Sequence, residues 1–262
     1  MLQYPNIDPV AIGFGPVAVH WYGLMYLIGF VGSWLYGTWR AKQPDSGWQA
    51  EEISDLIFYG ALGVVLGGRI GYILFYNFEL FAKDPLMILR IWQGGMSFHG
   101  GLLGVLIAMW LYGKKTSRTF FQVTDFIAPF VPIGLGAGRI GNFINGELWG
   151  RPTDLPWGMV FPFVDKLPRH PSMLYEALLE GLVLFIILLW FSSRRPPRYA
   201  VSGLFLLCYG LFRFAVEFVR VPDEHLGFIA LDWLTMGHLL SAPMIFFGVL
   251  LLWKAYKGKT QA

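Results

Sequence analysis

Charge is what this chain has least of. Only 14% of its 262 residues are charged while 55% are hydrophobic, against roughly 25% charged in ordinary soluble domains. The single cysteine, Cys208, sits in the middle of an apolar run. It excludes an internal disulfide, and nothing near it in sequence would activate a thiol nucleophile. Zinc-type Cys/His spacings, a phosphate-binding P-loop and a GxSxG elbow are all missing, which removes the commonest metal, nucleotide and hydrolase signatures. The net charge of +3 is too small to suggest a nucleic-acid partner. No basic n-region precedes the first apolar run and no small-residue cleavage site follows it. That run is therefore expected to remain as a helix rather than to leave as a signal peptide.

What the chain does have is a series of long apolar runs. Seven are near the roughly 20 residues a membrane helix needs: about 18–38, 52–76, 95–113, 119–141, 172–192, 200–219 and 236–254. The expected fold is an all-α polytopic membrane protein with about seven transmembrane helices, forming one transmembrane domain over residues 1–262. A larger outer loop region is expected at about 145–171. Arg40, Lys42, Lys114, Lys115, Arg118, Arg194, Arg195, Arg198, Lys254, Lys257 and Lys259 fall on one side. Lys83, Arg90, Arg151, Lys166, Arg169 and Arg220 fall in the opposite, longer loops. The positive-inside rule then puts the N-terminus outside and the C-terminus in the cytoplasm. Trp21, Trp39, Trp92, Trp110, Trp149, Trp190, Trp233 and Trp253 lie near the expected helix ends, as an aromatic belt requires.

Polar residues inside the runs gather on the outer side. Each helix running outward carries an arginine towards its outer end: Arg69, Arg139 and Arg213. Two of these stand in the same tetrapeptide, GRIG, at 68–71 and 138–141. His20, His99, His170 and His238 lie at or just before the outer starts of the other helices, and His225 is in an outer loop. The inner ends offer little beyond Asp55 and Asp125. An intramembrane arginine costs roughly 2.5–3.5 kcal/mol at the bilayer centre on insertion scales. Snorkelling to the headgroups is the simple account, and it suits Arg220. Arg69 is open between snorkelling, a structural carboxylate pair and function. Arg213, about thirteen residues into its run, has Glu217 at i+4 and Arg220 three further on. This ladder is either a structural ion pair or a guanidinium held for an anionic ligand. Gly63, Gly67 and Gly71, like Gly134 and Gly138, have the small-xxx-small spacing of close helix packing. Gly146 and Gly150 lie beyond their helix, where glycine permits a tight turn around a ligand.

Arginine's planar fork suits phosphate and keeps its charge when partly desolvated. With Asn142 and Asn145 alongside, two or three arginines at headgroup level suit a phospholipid headgroup. His99, among the glycines of GGMSFHGG (94–101), either packs at a helix start or serves as a base at neutral pH. The residues by themselves point to an outer-leaflet site for a lipid phosphate with a candidate base, and identify neither the acceptor nor the bond broken. A transporter or anion channel is the rival from another class, and a lipid-binding scaffold the third. Transporters usually place polar groups near the midplane, which is apolar here.

The stretches HWYGLMYLIGF (20–30), GGRIGYILFYN (67–77), GGMSFHGGLLG (94–104), GLGAGRIGNFINGELWGR (134–151), RHPSMLYEALLEG (169–181) and YGLFRFAVEFVRVPD (209–223) resemble the bacterial phosphatidylglycerol–prolipoprotein diacylglyceryl transferases. The resemblance implies transfer of a diacylglyceryl group from phosphatidylglycerol to the lipobox cysteine of a prolipoprotein. That reaction forms a thioether and releases glycerol 1-phosphate at the outer face of the bacterial cytoplasmic (inner) membrane. By motif position, Arg139 and Arg213 would bind the phosphate and His99 would be the base. Tyr22, Asn142, Glu147, Gly150 and Glu217 would complete the essential set, with no metal or organic cofactor. His238 stands where relatives often have glutamine and receives no catalytic role.

Overall fold

The computed structural model describes residues 2–15, 17–90, 94–222 and 227–257. The readings that fall on Trp92, Asp223, His225 and Lys259 lie outside the described residues. Helices cover all seven expected runs: α1 (Trp21–Ala41), α2 (Ala50–Tyr76), a short α3 (Phe78–Lys83), α4 (Phe98–Lys115), the pair α5 (Phe120–Ile127) and α6 (Val131–Ile144), a continuous helix from α7 (Ser172–Glu176) to α8 (Leu184–Ser193), α9 (Ala200–Glu217) and α10 (Met236–Lys257). Four of these, Ala50–Tyr76, Ser172–Ser193, Ala200–Glu217 and Met236–Lys257, are long and apolar enough to cross a membrane, and the pair α5–α6 makes up to five.

The structure departs locally from the expected pattern in three places. The fourth run is two helices bent by 49°. Pro129 lies in the break and Pro132 in the first turn of α6, and neither has an N–H with which to continue the hydrogen-bond ladder. The run 172–193 widens to a π-helical turn over Ala177–Val183 between α7 and α8. Two small sheets accompany the helices. In one, β2 (Val10–Phe14) pairs antiparallel with β3 (Val17–His20), so the first helix begins at Trp21 rather than near residue 18. In the other, β1 (Leu2–Gln3) runs parallel to β4 (Met159–Val160), which pairs antiparallel with β5 (Pro168–Arg169).

The chain divides into two compact units, Met1–Ser33 with Asp125–Ala262, and Trp34–Thr124. In the second unit α2 and α4 cross on glycine. A Cβ at Gly104 would lie 2.9 Å from the Gly63 carbonyl carbon and from the Gly67 Cα, and one at Gly71 would lie 2.7 Å from the Gly100 Cα. The small-xxx-small reading of Gly63, Gly67 and Gly71 therefore holds, with Gly100 and Gly104 supplying the facing notch. Arg69, only 3% exposed, does not snorkel and, among the described residues, pairs with no carboxylate. Its guanidinium donates to the carbonyls of Met87, Ile88 (3.3 Å), Arg90 (3.2 Å), Gly94 (2.5 Å) and Gly95 (3.0 Å). It thereby satisfies backbone acceptors in the chain leading to α4. At the start of α2, Glu52 pairs with Arg118 at 2.6 Å.

In the first unit the helix 172–193 shows which solvent it was built for. Met173, Glu176, Glu180, Leu184 and Leu188 are fully buried, while Leu178, Leu182, Ile186 and Trp190, four residues apart, are 52–55% exposed. Carboxylates turned inward and large apolar side chains turned outward invert the order expected in water. They suit a hydrocarbon surround, and the chain is a helical membrane protein. Asp125 anchors the start of α9 by accepting from the N–H groups of Tyr199 (2.7 Å) and Ser202 (2.8 Å) and from the Ser202 hydroxyl (2.6 Å). Near the small sheet, Tyr4, Met159, Phe161 and Met173 form a core against Phe143 and Trp149, and the Tyr4 hydroxyl donates to the Ile144 carbonyl at 2.7 Å.

Gly104→Ala should drive α2 and α4 apart, an overpacking cost of about 1–3 kcal/mol, and lower the thermal midpoint of the detergent-held protein. A Cβ at Gly138 would meet nothing within 4 Å. Gly138→Ala should therefore leave that midpoint in place, and circular dichroism melts compare the two.

Candidate functional site

The glycine-rich helix α6 positions the first set of polar groups. Gly136 meets the π-helical turn at Gly181, where a Cβ on Gly181 would lie 2.7 Å from the Gly136 Cα. Bare backbone on both helices lets Arg139, one turn after Gly136, reach the carboxylates on the facing segment. Its Nε lies 2.8 Å from Glu176 Oε2 and its Nη2 lies 3.8 Å from Glu180 Oε2. The Glu176 contact is a close charge pair whose N–H is not aligned as a hydrogen bond.

Glu176 is the hub. Its Oε1 accepts from Arg213 Nη1 at 2.5 Å and from Arg220 Nη1 at 2.7 Å. Glu217 braces the same guanidiniums from the other side, with Oε2 at 2.8 Å from Arg213 Nη2 and 3.5 Å from Arg220 Nε. Its Oε1 accepts from the Thr235 hydroxyl at 2.9 Å, and Thr235 also contacts His238 Nδ1 at 3.0 Å. His238 is buried against Phe214, Phe218 and Trp233. Gly237 is bare because any Cβ there would strike the Glu217 carboxylate. The ladder Arg213–Glu217–Arg220 read from sequence is thus present, but it closes through Glu176. Arg220 does not snorkel: it is 7% exposed and bound to a carboxylate that is wholly buried. Arg139 and Arg213 keep 20% and 17% of their side-chain surface accessible, so each still has donors to offer.

The end of α6 carries a second polar group. Gly146 takes φ +68°, where a side chain would be strained and a Cβ would strike the Phe163 ring. This turn brings the Glu147 N–H onto the Asn142 carbonyl at 2.8 Å and folds the Glu147 side chain back over the helix. Its carboxylate accepts from Asn142 Nδ2 and Asn145 Nδ2, each at 3.1 Å. Both amides offset the repulsion a carboxylate meets at a helix C-terminus. Gly141 gives the Tyr22 ring its place, since a Cβ there would lie 2.9 Å from Tyr22 Cδ2. The Tyr22 phenol lies within the electrostatic reach of both Arg139 and Glu147.

Gly150 belongs to a backbone junction. Its N–H donates to the His170 carbonyl at 2.8 Å and it bridges to Arg220. Its own carbonyl accepts from Arg169 at 3.1 Å. A Cβ would lie 2.5 Å from the Val219 carbonyl oxygen, so the close approach glycine permits here is to the protein's own backbone. Arg151 fastens the same junction by donating Nε to the Arg220 carbonyl at 2.7 Å. Arg169, hydrogen-bonded to Asp165, holds that carboxyl below the usual carboxylate range. Burial pushes the His170 imidazole below its usual value, and its Nδ1 lies 3.2 Å from the Tyr175 hydroxyl.

The structure therefore brings together Arg139, Arg213 and Glu217 in one cluster, with Asn142 and Glu147 at the end of the helix bearing Arg139 and Tyr22 beside it. His99 lies in the second unit, exposed near the start of α4, with its ring edge on Phe98 at 5.6 Å and no hydrogen bond among the described residues. Glu176 and Glu180 were missed by sequence reasoning, which followed the basic residues. Their signal was two acids spaced i,i+4 within an apolar run, a combination that demands buried cationic partners.

The family described as prolipoprotein diacylglyceryl transferase matches residues 9–254. A Methylococcus capsulatus protein is 63% identical over 261 residues, covering 99% of this chain and 100% of its own length. One from Coxiella burnetii is 60% identical over 259 residues, with 99% of each chain covered. One from Pseudomonas paraeruginosa is 59% identical over 258 residues, covering 98% of this chain and 97% of its own. All three are named phosphatidylglycerol–prolipoprotein diacylglyceryl transferase. Helices dressed for lipid around a buried cluster of arginines and carboxylates, matched end to end by such relatives, define a membrane-embedded transferase of lipoprotein biosynthesis. The chain belongs to the prolipoprotein diacylglyceryl transferase family.

Two outcomes follow from this geometry. Glu176→Gln leaves guanidiniums buried without their shared carboxylate, and breaking such a pair costs about 3–5 kcal/mol. A clear fall in thermal midpoint is expected, larger than for Glu147→Gln, whose carboxylate is exposed. His170 has a depressed value in the folded protein, so the stability it contributes is present above its unfolded value of about 6.5. That stability is lost as pH falls through the lower folded value. His170→Gln should flatten the melting temperature against pH as the pH falls below about 6.5.

Proposed function

We propose that this transferase moves the diacylglyceryl group of phosphatidylglycerol to the thiol of the lipobox cysteine in a prolipoprotein signal peptide. The cysteine sulfur attacks the glyceryl carbon, a C–S bond forms and the C–O bond to phosphate breaks. Glycerol 1-phosphate leaves with the bonding electrons, and the thiol proton passes to a base. In this reading Arg139 and Arg213 hold the lipid phosphate and stabilise the charge that grows on the leaving group. Tyr22, Asn142, Glu147 and Gly150 shape the headgroup site, and Glu217 holds Arg213. His99 is the base by resemblance alone. A free thiol with a pKa of about 8.5 gains reactivity from proton removal near neutrality.

The observation that carries the proposal is the shared Glu176 carboxylate. It orients Arg139 and Arg213, from two different helices, while both keep accessible surface. Guanidiniums fixed in this way need no reorganisation when an anion arrives. The proposal includes seven spans, an outer N-terminus and a cytoplasmic C-terminus, with the site towards the outer face of the bacterial cytoplasmic membrane. The charge asymmetry of the loops supports that orientation.

Purified protein with phosphatidylglycerol and a lipobox peptide should release glycerol phosphate and yield thioether-modified peptide. A transporter or scaffold would do neither. Arg139→Gln should abolish turnover while retaining the helical circular dichroism of the parent, and near-normal turnover would remove Arg139 from the site. If His99→Gln keeps substantial activity, the base is another group.

A further inference from the structure

Glu180 belongs to the buried cluster, but the proposed chemistry does not use it. Its side chain is 0% exposed and neither oxygen has a hydrogen-bond partner among the described residues. The nearest guanidinium nitrogen, Arg139 Nη2, stands at 3.8 Å, beyond hydrogen-bond distance. Glu176 and Glu217, by contrast, meet cationic nitrogens at 2.5–2.8 Å. The charges acting on Glu180 are Glu176 on its own helix, Arg139 on α6, Arg213 on α9 and Arg220 just beyond it. The Tyr209 phenol on α9 is the other titratable neighbour. Glu147 is exposed, takes its bonds from two amides and lies outside this buried set. So does Arg151, which is half-buried, donates to the Arg220 carbonyl and lies over the Phe228 ring. A buried carboxylate without donors is far costlier than a buried carboxylic acid, and such a group neutralises rather than stay ionised.

We propose that Glu180 is carried as the neutral acid, so that three guanidiniums face two carboxylates and the buried cluster holds a net charge of +1 matched to one singly charged phosphodiester headgroup. The proposal rests on the reading that Arg139 and Arg213 hold the lipid phosphate. Its consequence is discrimination by charge. Attraction to the cluster grows in proportion to ligand charge, whereas the desolvation cost of a buried ion grows with the square of its charge. A phosphodiester monoanion neutralises the site. A phosphomonoester dianion leaves one buried negative charge in excess, so the dianionic product of transfer is disfavoured where its parent diester is held.

The protonation state is read directly by infrared spectroscopy on the full-length protein in lipid bilayers, with all glutamate side-chain carboxyls labelled with carbon-13. A protonated-carboxyl stretch at neutral pH that disappears in Glu180→Gln is expected. Should that variant fail to fold, the band in the parent protein carries the test, and its absence there overturns the proposal whether or not the protein turns over. Charge discrimination is read by competition between phosphatidic acid and labelled phosphatidylglycerol for binding. Phosphatidic acid should compete about tenfold less well above its second ionisation, near pH 6 for phosphomonoesters, than below it. Equal or tighter competition by the dianion would overturn the charge matching. Failure of phosphatidylglycerol itself to bind would instead remove the reading on which the proposal rests.

Discussion

One carboxylate organises this protein's interior. Glu176, wholly buried, draws Arg139 from α6, Arg213 from α9 and Arg220 from just beyond α9 to within 2.5–2.8 Å. Charges this far from water are tolerable only when paired, because desolvation of each ion exceeds what any loose arrangement returns. The surrounding packing makes that pairing geometrically possible. Gly136 against Gly181 brings two helix backbones together beside the hub, and Gly237 clears room for the Glu217 carboxylate. The widened π-helical turn begins at the residue after Glu176 and contains Glu180. Such turns are uncommon and recur at functional positions.

The helices were legible in the sequence because a bilayer leaves the backbone few choices. Without water to satisfy N–H and C=O groups, an apolar run of sufficient length must be helical. Hydropathy is blind to a missing donor, so the bend between α5 and α6 escaped notice although Pro129 and Pro132 were in plain view. The α2 glycines were read correctly because their spacing states their use, whereas Gly138 shares that spacing and meets nothing. Gly150 was read as permitting a tight turn around a ligand, and the close approach it permits is to the protein's own chain at 170 and 219. Arg139, Arg213 and Glu217 were identifiable as costly charges in apolar sequence. Glu176 and Glu180 were just as costly, and only attention confined to basic residues hid them. The tie between Arg69 and the carbonyls of Met87, Ile88, Arg90, Gly94 and Gly95 could not be read in advance, since main-chain acceptors leave no mark in a sequence.

The helix from Ser172 to Ser193 shows how two solvents divide one element. Its exposed stripe of Leu178, Leu182, Ile186 and Trp190 faces outward as apolar surface, and its opposite stripe holds acids and leucines at zero exposure. Polar groups here are collected rather than dispersed, and the collection would offer an anionic headgroup fixed donors away from bulk water. The exposed Glu147, clamped by Asn142 and Asn145, extends that polar region along the end of α6.

That the cluster's members come from well-separated stretches of chain also sets an order of assembly. Arg139 is synthesised 37 residues before Glu176, and Glu176 is synthesised 44 residues before Arg220. A ribosome feeding this chain into a membrane therefore delivers a lone cation, then the acids of the next helix, before the last arginines arrive to complete the pairing. Each unpaired charge resists insertion by roughly 2.5–3.5 kcal/mol at the bilayer centre. The interval between the sixth and ninth helices is thus the vulnerable stage of biogenesis, when water or the insertion machinery must shelter what the finished protein shelters for itself.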